Sequence, residues 1–222
     1  MKQSTAFMLR EGDKYYQRNF SKSREPDLVF EAIKDNKLKP HTVLEVGCGD
    51  GWRLRRIRAD LGAVCYGIDP SKDAINDAPQ SVEKYGISCW RGTADKLVGV
   101  SDNSIDMVIY GFCLYLVDRE DLFNAVAECD RVLRDGGHIV IHDFHSSRPY
   151  SRIYEHAPEL KSYKQDYAAL WLANPAYRMV GRQIFGTDGP LPTSRDDQVT
   201  IAILRKSMHD AWPEEPQYAY IP

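Results

Sequence analysis

The feature that most constrains this chain is a run at residues 43–46 that is apolar except for Glu45 and is followed by glycines on alternate positions, Gly47, Gly49 and Gly51. The run predicts a buried strand. The glycines predict a tight turn whose backbone can approach a ligand, because glycine has no Cβ and accepts positive φ. Residues 52–61 carry apolar side chains at helical spacing. Strand, glycine turn and helix in this order are typical of a nucleotide-binding βαβ unit.

The second predicted strand, residues 63–68, ends at Asp69, 24 residues after Glu45. A carboxylate at this place can accept hydrogen bonds from both hydroxyls of a ribose. A dinucleotide fingerprint, G-x-G-x-x-G, requires a third glycine where this chain has Trp52, which is too bulky for close packing of the helix on the strand. The spacing therefore favours S-adenosylmethionine over a dinucleotide, and an NAD-dependent oxidoreductase is the weaker alternative.

Residues 42–144 resemble the class I S-adenosylmethionine-dependent methyltransferases, in the branch of small stand-alone enzymes whose first motif reads E-x-G-C-G-x-G. Further motifs follow in the order of that family, at residues 67–71, 91–95, 104–117 and 131–143. The resemblance implies S-adenosyl-L-methionine as cofactor and S-adenosyl-L-homocysteine as product. The predicted cofactor-binding residues are Tyr16, Glu45, Gly47, Cys48, Gly49, Asp69, Pro70, Thr93, Ala94, Asp95, Tyr110 and Phe112.

By the same resemblance, the first motif holds the methionine moiety, Asp69 the ribose, and Ala94 with Asp95 the adenine. Tyr110 and Phe112 are predicted as cofactor-binding residues from their position, because they lie at the carboxyl end of the fourth predicted strand, where ligands bind in such sheets. They are therefore candidates for the wall of the cofactor site. The alternative is that both are aromatic side chains of the core.

The remaining pattern predicts a Rossmann-like α/β fold. Strands are predicted at residues 42–46, 63–68, 87–90, 104–110 and 137–143, and helices near 51–61, 71–84 and 119–133. This alternation is typical of an open parallel sheet with helices on both faces. Residues 177–185 and 198–205 are joined by a turn-rich stretch and predict an antiparallel hairpin at the sheet edge. We expect an open twisted sheet that is mostly parallel.

A chain of 222 residues suffices for one substantial α/β domain. We predict a single methyltransferase domain over residues 1–222. Its parts are an N-terminal lid and first helix (1–40), a cofactor-binding core (41–143), an acceptor-pocket insertion (144–176), a C-terminal hairpin (177–206) and a tail (207–222). Residues 14–19 resemble the aromatic segment that folds over the cofactor in related small methyltransferases, with Tyr15 or Tyr16 in the lid role. A frayed terminus is the alternative. The prolines of the tail exclude a helix there.

The insertion departs from the family pattern, and we expect it to shape the acceptor pocket. Its basic side chains suit an anionic group: Arg148, Arg152, His156, Lys161 and Lys164. The acceptor is therefore predicted to be a small polar or anionic metabolite or a glycan precursor. The competing interpretation is a helix that packs on the sheet, because helical spacing relates Tyr163, Tyr167, Leu170, Trp171 and Asn174.

Methyl transfer from a sulfonium depends mainly on positioning, and a base is needed only when the acceptor must lose a proton. His142 and His145 follow the fifth predicted strand and are the candidate general bases, because imidazole titrates closest to neutral pH. A structural role at the strand end is the alternative. An H-D-x-H sequence without further ligands does not predict a metal site.

Net charge and cysteine content indicate the type of acceptor and the cellular compartment. The net charge is −3, so no global basic field favours nucleic acid, and the arginines at positions 53, 55, 56 and 58 are predicted on a solvated helix face. Five cysteines without C-x-x-C spacing indicate reduced thiols in the cytosol, and no apolar run reaches the length of a membrane span. We expect a cytoplasmic enzyme with a small-molecule acceptor and leave its oligomeric state open. A non-catalytic cofactor-binding subunit of a partner enzyme is the alternative.

Overall fold

A computed structural model of the chain describes residues 1–20, 24, 26–187 and 189–212. The predicted tail therefore lies outside the described residues from position 213 onward. The strands are β1 (Thr42–Val46), β2 (Val64–Asp69), β3 (Gln80–Ser81), β4 (Ile87–Arg91), β5 (Ile105–Gly111), β6 (Leu133–Phe144), β7 (Tyr150–Tyr154), β8 (Ala157–Lys164), β9 (Tyr177–Gly186) and β10 (Gln198–Lys206).

The helices lie between these strands and ahead of them. They are α1 (Gln3–Ala6), α2 (Gly12–Phe20), α3 (Leu28–Asp35), α4 (Trp52–Leu61), α5 (Lys72–Asp77), α6 (Val82–Tyr85), α7 (Leu122–Val132) and α8 (Ala169–Leu172). A π-helical turn, Phe7–Glu11, joins α1 to α2, and a 3-10 turn, Leu114–Leu116, follows β5.

Eight strands form one sheet in the order β3-β4-β2-β1-β5-β6-β10-β9. The five strands from β4 to β6 are parallel, whereas β3, β10 and β9 are antiparallel. The predicted Rossmann-like α/β sheet with an antiparallel C-terminal hairpin is confirmed. Its order reverses at β1, which lies between β2 and β5, so the carboxyl end of β1 is the place where such sheets bind ligands.

Hydrophobic cores cover both faces of the sheet because side chains alternate along the strands. Val43 of β1 packs on the face that holds Phe30 of α3 and Ile57 of α4. Leu44, the next residue, packs on the opposite face with Ala125 of α7. Helices therefore cover both faces, as the sequence pattern predicts.

Two predicted helices differ from the structure. The helix predicted over 71–84 ends at Asp77, since Pro79 forces the preceding Ala78 into an extended conformation (φ −84°, ψ 155°). The alternative prediction of a helix over residues 163–174 is wrong for its first residues, because Tyr163 pairs with Ser151 in the separate β7–β8 hairpin. Only α8 is helical there.

Gly67 of β2 has no room for a side chain, which gives a stability prediction. A Cβ on this residue would lie 2.6 Å from the Cys48 sulfur, 2.8 Å from the Cys89 sulfur and 2.9 Å from Leu54 Cδ1. We expect Gly67→Ala to lower the free energy of unfolding by about 1–3 kcal/mol through overpacking, as measured by urea denaturation. The matched control is Gly181→Ala, whose Cβ would meet its nearest atom at 3.5 Å. Equal stability of the two variants would contradict the prediction.

Candidate active site

A cavity of about 450 Å³ opens at the carboxyl ends of β1, β2, β4 and β5. Eleven of the residues predicted to bind the cofactor line it: Tyr16, Glu45, Gly47, Cys48, Gly49, Asp69, Pro70, Thr93, Ala94, Asp95 and Phe112. Tyr110 does not line it. Its fully buried ring packs 5.7 Å from that of Trp171, in agreement with the alternative that Tyr110 belongs to the core. The structure thus brings together motifs that are far apart in the sequence.

The glycine turn after β1 forms one wall of the cavity. Gly47, Gly49 and Gly51 have φ values of 79°, 56° and 73°, in the region that other residues avoid. The Gly47 amide donates a hydrogen bond to the Ile68 carbonyl at 2.7 Å, and a Cβ there would lie 2.9 Å from Cys113 Cβ. A Cβ on Gly49 would meet no atom within 4 Å, so this part of the turn faces open space.

Asp69 connects the glycine turn to the end of β2. Its two carboxylate oxygens accept hydrogen bonds from the Gly49 amide at 2.9 Å and the Ser71 amide at 2.8 Å. Burial raises the pKa of Asp69 to about 6, and the two amides oppose that shift. Asp69 thus lies at the cavity wall with lone pairs available to a ligand beyond those that the backbone uses.

Glu45 lies on the floor of the cavity in a buried ion-pair network. Arg53 of α4 binds its Oε1 atom and also donates from Nε to Asp27 at 3.0 Å. The other oxygen, Oε2, is buried and has no hydrogen-bond partner among the described residues. Burial raises the pKa of Glu45 to about 7, against the lowering effect of Arg53.

The prediction that the α4 arginines share a solvated face is wrong for Arg53, which is 8% exposed. It turns inward because Asp27 and Glu45 supply two buried carboxylates on the side of α4 that faces the sheet. Arg55 and Arg58 are exposed, as predicted.

The two candidate bases have different positions. His142 lines the cavity, with its ring centroid 4.4 Å from that of Phe112, whereas His145 does not line it. Burial lowers the pKa of His142 to about 3 and also lowers that of His145. His142 is therefore neutral at physiological pH and would be a weak base. The role of general base and the structural role at the strand end both stay predictions.

Residues 1–20 form a cover over the cavity, which we call the N-terminal cover. At one end the Gln3 and Ser4 amides donate to the Asp118 carboxylate at 2.9 and 3.0 Å. At the other end Asp13 accepts a hydrogen bond from the Ser71 hydroxyl at 2.7 Å. The predicted lid thus has a structural counterpart that is anchored on both sides of the cavity.

The turn after β5 is held by two residues that the sequence analysis did not single out. Asp143 is fully buried and accepts hydrogen bonds from the Leu114 and Tyr115 amides at 2.8 and 3.3 Å. Arg119 donates to the Leu114 carbonyl at 2.8 Å. Together they fix the turn that presents Phe112, whose φ of 52° is strained for a side chain with a Cβ.

Residues 144–176 pack beside the N-terminal cover, and none of them lines the cavity. Tyr154 of β7 packs against Phe7 of the cover with ring centroids 6.2 Å apart. Of the basic side chains in this segment, Arg152 and Lys164 pair with Asp196. The insertion therefore supports the cover from outside.

The described ranges contain no group of three or more acidic, cysteine or histidine side chains able to hold a metal. None of the helices in the same ranges has the length and apolar character of a bilayer span.

Comparison with known proteins agrees with this geometry. Residues 44–141 match the family described as "Methyltransferase domain". The chain is 30% identical over 154 residues to the tRNA N(3)-methylcytidine methyltransferase trm141 of Schizosaccharomyces pombe, covering 60% of this chain and 58% of that protein. It is 26% identical to the malonyl-[acyl-carrier protein] O-methyltransferase of Brevibacillus brevis, covering 53% of this chain and 42% of that protein. The chain thus spans about half the length of these relatives.

The fold is similar to the crystal structure of Burkholderia thailandensis 1,6-didemethyltoxoflavin-N1-methyltransferase with bound 1,6-didemethyltoxoflavin and S-adenosylhomocysteine. The TM-score is 0.68 at 16% sequence identity, and the match covers 93% of this chain and 91% of that chain. Residues 44–141 therefore match a methyltransferase domain, and the chain shares the fold of that Burkholderia methyltransferase.

Proposed function

We propose that this protein is a methyltransferase that uses S-adenosylmethionine to methylate a small polar metabolite. One observation carries the proposal: the glycine turn of β1, the Asp69 residue of β2 and the Glu45 residue of β1, whose buried Oε2 has no hydrogen-bond partner among the described residues, line one cavity. Each group suits a different part of an adenosyl amino acid. A buried acceptor without a partner is costly unless a ligand supplies the donor.

The residues present fit the cofactor. Glu45 Oε2 would accept a hydrogen bond from the ammonium group of the methionine moiety, and Asp69 would accept hydrogen bonds from the ribose hydroxyls. Thr93, Ala94 and Asp95 would bind the adenine. When bound, the cofactor supplies a methyl group that is electrophilic because the sulfur is positively charged.

The chain contributes mainly position and exclusion of water. The strained Phe112 and the glycine turn form two walls of the cavity, and residues of the N-terminal cover line a third side. Holding two reactants in line can lower a barrier by about 7–11 kcal/mol in the best model systems. Neutral His142 lies at the same wall and would orient an acceptor by hydrogen bonding.

A small acceptor fits the cover better than a macromolecule. Relatives methylate tRNA cytidine or malonyl-[acyl-carrier protein] according to their names, whereas the structurally similar Burkholderia protein contains bound 1,6-didemethyltoxoflavin. Here the cover is anchored at Asp118 on one side and at Ser71 on the other, which supports entry of a small molecule only. The five free thiols support a reducing compartment such as the cytosol.

The alternatives have less support. An NAD-dependent oxidoreductase would need close approach of the α4 backbone, and Trp52 occupies that place at the cavity wall. A non-catalytic subunit would bind the cofactor without methyl transfer, so a turnover measurement separates it from the enzyme.

The test combines binding with turnover. Differential scanning fluorimetry with S-adenosylhomocysteine or NADH should show a rise in melting temperature with the first compound alone. Incubation with methyl-labelled S-adenosylmethionine and a fractionated cell extract should then place label in a small molecule. A rise with NADH alone, or label confined to RNA or protein, would contradict the proposal.

The N-terminal cover gives a separate prediction. A Cβ on Gly12 would lie 2.7 Å from the Phe7 carbonyl oxygen, 3.0 Å from the Ser71 amide nitrogen and 3.1 Å from the Ser71 Cα, so Gly12→Ala distorts the cover and displaces it from Ser71, the residue before α5. We expect S-adenosylhomocysteine to bind about tenfold more weakly, corresponding to about 1.4 kcal/mol. Isothermal titration calorimetry measures this, with Lys14→Ala on the exposed face of α2 as control. Equal affinity of the two variants would exclude a role of the cover in binding.

A further inference from the structure

The sheet order separates an acceptor end of the cavity from a cofactor end. The ribose acid, Asp69, is on β2, on one side of β1, whereas β5 and β6 lie on the other side. The space beside the glycine turn on that second side is bounded by Phe112, Cys113 and His142 and by Leu116 to Asp118. We call these six residues the acceptor end.

The acceptor end is largely apolar and aromatic. The Phe112 ring lies 4.4 Å from His142 and 5.4 Å from Phe144, measured between centroids. Phe7 and Tyr15 of the N-terminal cover also line the cavity. Flat rings on several sides favour an acceptor that itself has a flat or apolar face.

The charge of the cavity is negative. Among its described lining residues, seven side chains are carboxylates and two are guanidinium groups. Both guanidinium groups are paired: Arg24 donates to Asp50 at 2.8 Å, and Arg53 contacts Asp27 and Glu45. The described part of the cavity therefore has no free cation for an anionic acceptor.

At the acceptor end, the carboxylate of Asp118 accepts backbone hydrogen bonds from Gln3 and Ser4 and has no cationic partner among the described residues. A negative charge brought to this place would meet repulsion in a partly desolvated space. A positive charge that develops there would be stabilised.

Two titratable side chains of the cavity, Cys113 at the acceptor end and Tyr15 of the N-terminal cover, hold their protons tightly. Burial raises the pKa of the Cys113 thiol well above its ordinary value and raises the pKa of Tyr15 to about 12. Neither is available as an anion to remove a proton from an acceptor. An acceptor that already carries a free lone pair has no need of such a group.

On the basis of the proposed function, we propose that the acceptor is a nitrogen nucleophile with no net negative charge and with a flat or apolar face. Its lone pair forms the new N–C bond while the C–S bond breaks, and the electrons of that bond remain on sulfur as a neutral thioether. The nitrogen takes the positive charge and releases a proton to water if it carried one. The negative cavity stabilises this developing cation.

The experiment tests the charge of the product. Wild-type protein is incubated with methyl-labelled S-adenosylmethionine and the small-molecule fraction of a cell extract, and the labelled product is separated by ion exchange at pH 7 and identified. We expect a product that is cationic or uncharged and carries the label on nitrogen. A product that is anionic, or labelled on a carboxylate or hydroxyl oxygen, overturns the inference while the proposed function stands.

Two variants at the acceptor end make the test specific to charge. Val117 lines the cavity, and Val117→Lys adds a cation there, whereas Val117→Met adds similar length without charge. We expect kcat/KM for the identified acceptor to fall at least tenfold more in the lysine variant, with equal S-adenosylhomocysteine affinity in both. Equal kcat/KM in the two variants overturns the inference. Loss of S-adenosylhomocysteine binding by the wild-type protein would instead overturn the proposed function.

Discussion

Replacing Asp69 by alanine is expected to weaken S-adenosylhomocysteine binding about 100-fold or more. The Asp69 carboxylate is the group at the end of β2 that would accept the ribose hydrogen bonds. It also accepts hydrogen bonds from the Gly49 and Ser71 amides. Hydrogen bonds to a charged group contribute about 1.5–3 kcal/mol each, so the loss of two of them corresponds to about 3 kcal/mol or more. Isothermal titration calorimetry at pH 8, above the pKa of about 6, measures the effect with the carboxylate ionised.

The control for this variant is Asp60→Ala, which removes an exposed carboxylate at the end of α4. We expect its affinity to equal that of the wild-type protein. Circular dichroism of both variants checks that the fold is retained. An Asp69→Ala protein that is folded and binds with wild-type affinity would contradict the assignment of the ribose site.

The second large effect is expected at Arg53. Substitution by methionine keeps most of the side-chain length but removes the guanidinium group that pairs with the buried carboxylates of Asp27 and Glu45. Breaking a buried ion pair by removing one partner costs about 3–5 kcal/mol. Urea denaturation at pH 8 should therefore show a free energy of unfolding lower by about that amount.

The sign of the pH dependence follows from Glu45. Burial already raises its pKa to about 7 in the folded protein, and Arg53 opposes this shift. Without Arg53 the folded-state pKa rises further, so the protonated form gains stability relative to the unfolded chain. That contribution is present below the unfolded pKa of about 4.3 and is lost as the pH rises through the folded value.

The destabilisation of Arg53→Met should therefore be smaller at pH 5 than at pH 8. Arg55→Met, on the same helix with a side chain that is 43% exposed, should change stability by less than about 0.5 kcal/mol at either pH. If both variants unfold at the same urea concentration at pH 8, the buried network does not stabilise the fold as described here.

The sequence allowed the prediction of the sheet and the cofactor end because both depend on local signals. Glycines at 47, 49 and 51 adopt the positive φ that their spacing indicates, and Asp69 ends a strand of the predicted period. The end of α5 could also have been predicted, because Pro79 is a strong local signal for a helix end. The predicted helix over 71–84 did not take this signal into account.

The acceptor end and the buried networks around the cavity could not be predicted from local sequence signals, because contacts between residues far apart in the chain form them. Asp118 meets the first residues of the chain, 114 positions away from Ser4. In the sequence Arg53 does not differ from the exposed arginines of the same helix. Its burial depends on ion pairs with Asp27 and Glu45, which only the structure shows. Asp143 did carry a signal, since like Asp69 it is an acid at the end of a buried strand, but its partners are backbone amides of another turn.

The measurement that tests the central claim most directly is a crystal structure of the protein with S-adenosylhomocysteine. We predict that the ribose hydroxyls lie within hydrogen-bonding distance of Asp69, that the amino group contacts Glu45 Oε2 and that the thioether sulfur faces Phe112 and Cys113. Density for the compound elsewhere, with an empty cavity at the ends of β1 and β2, would contradict the account.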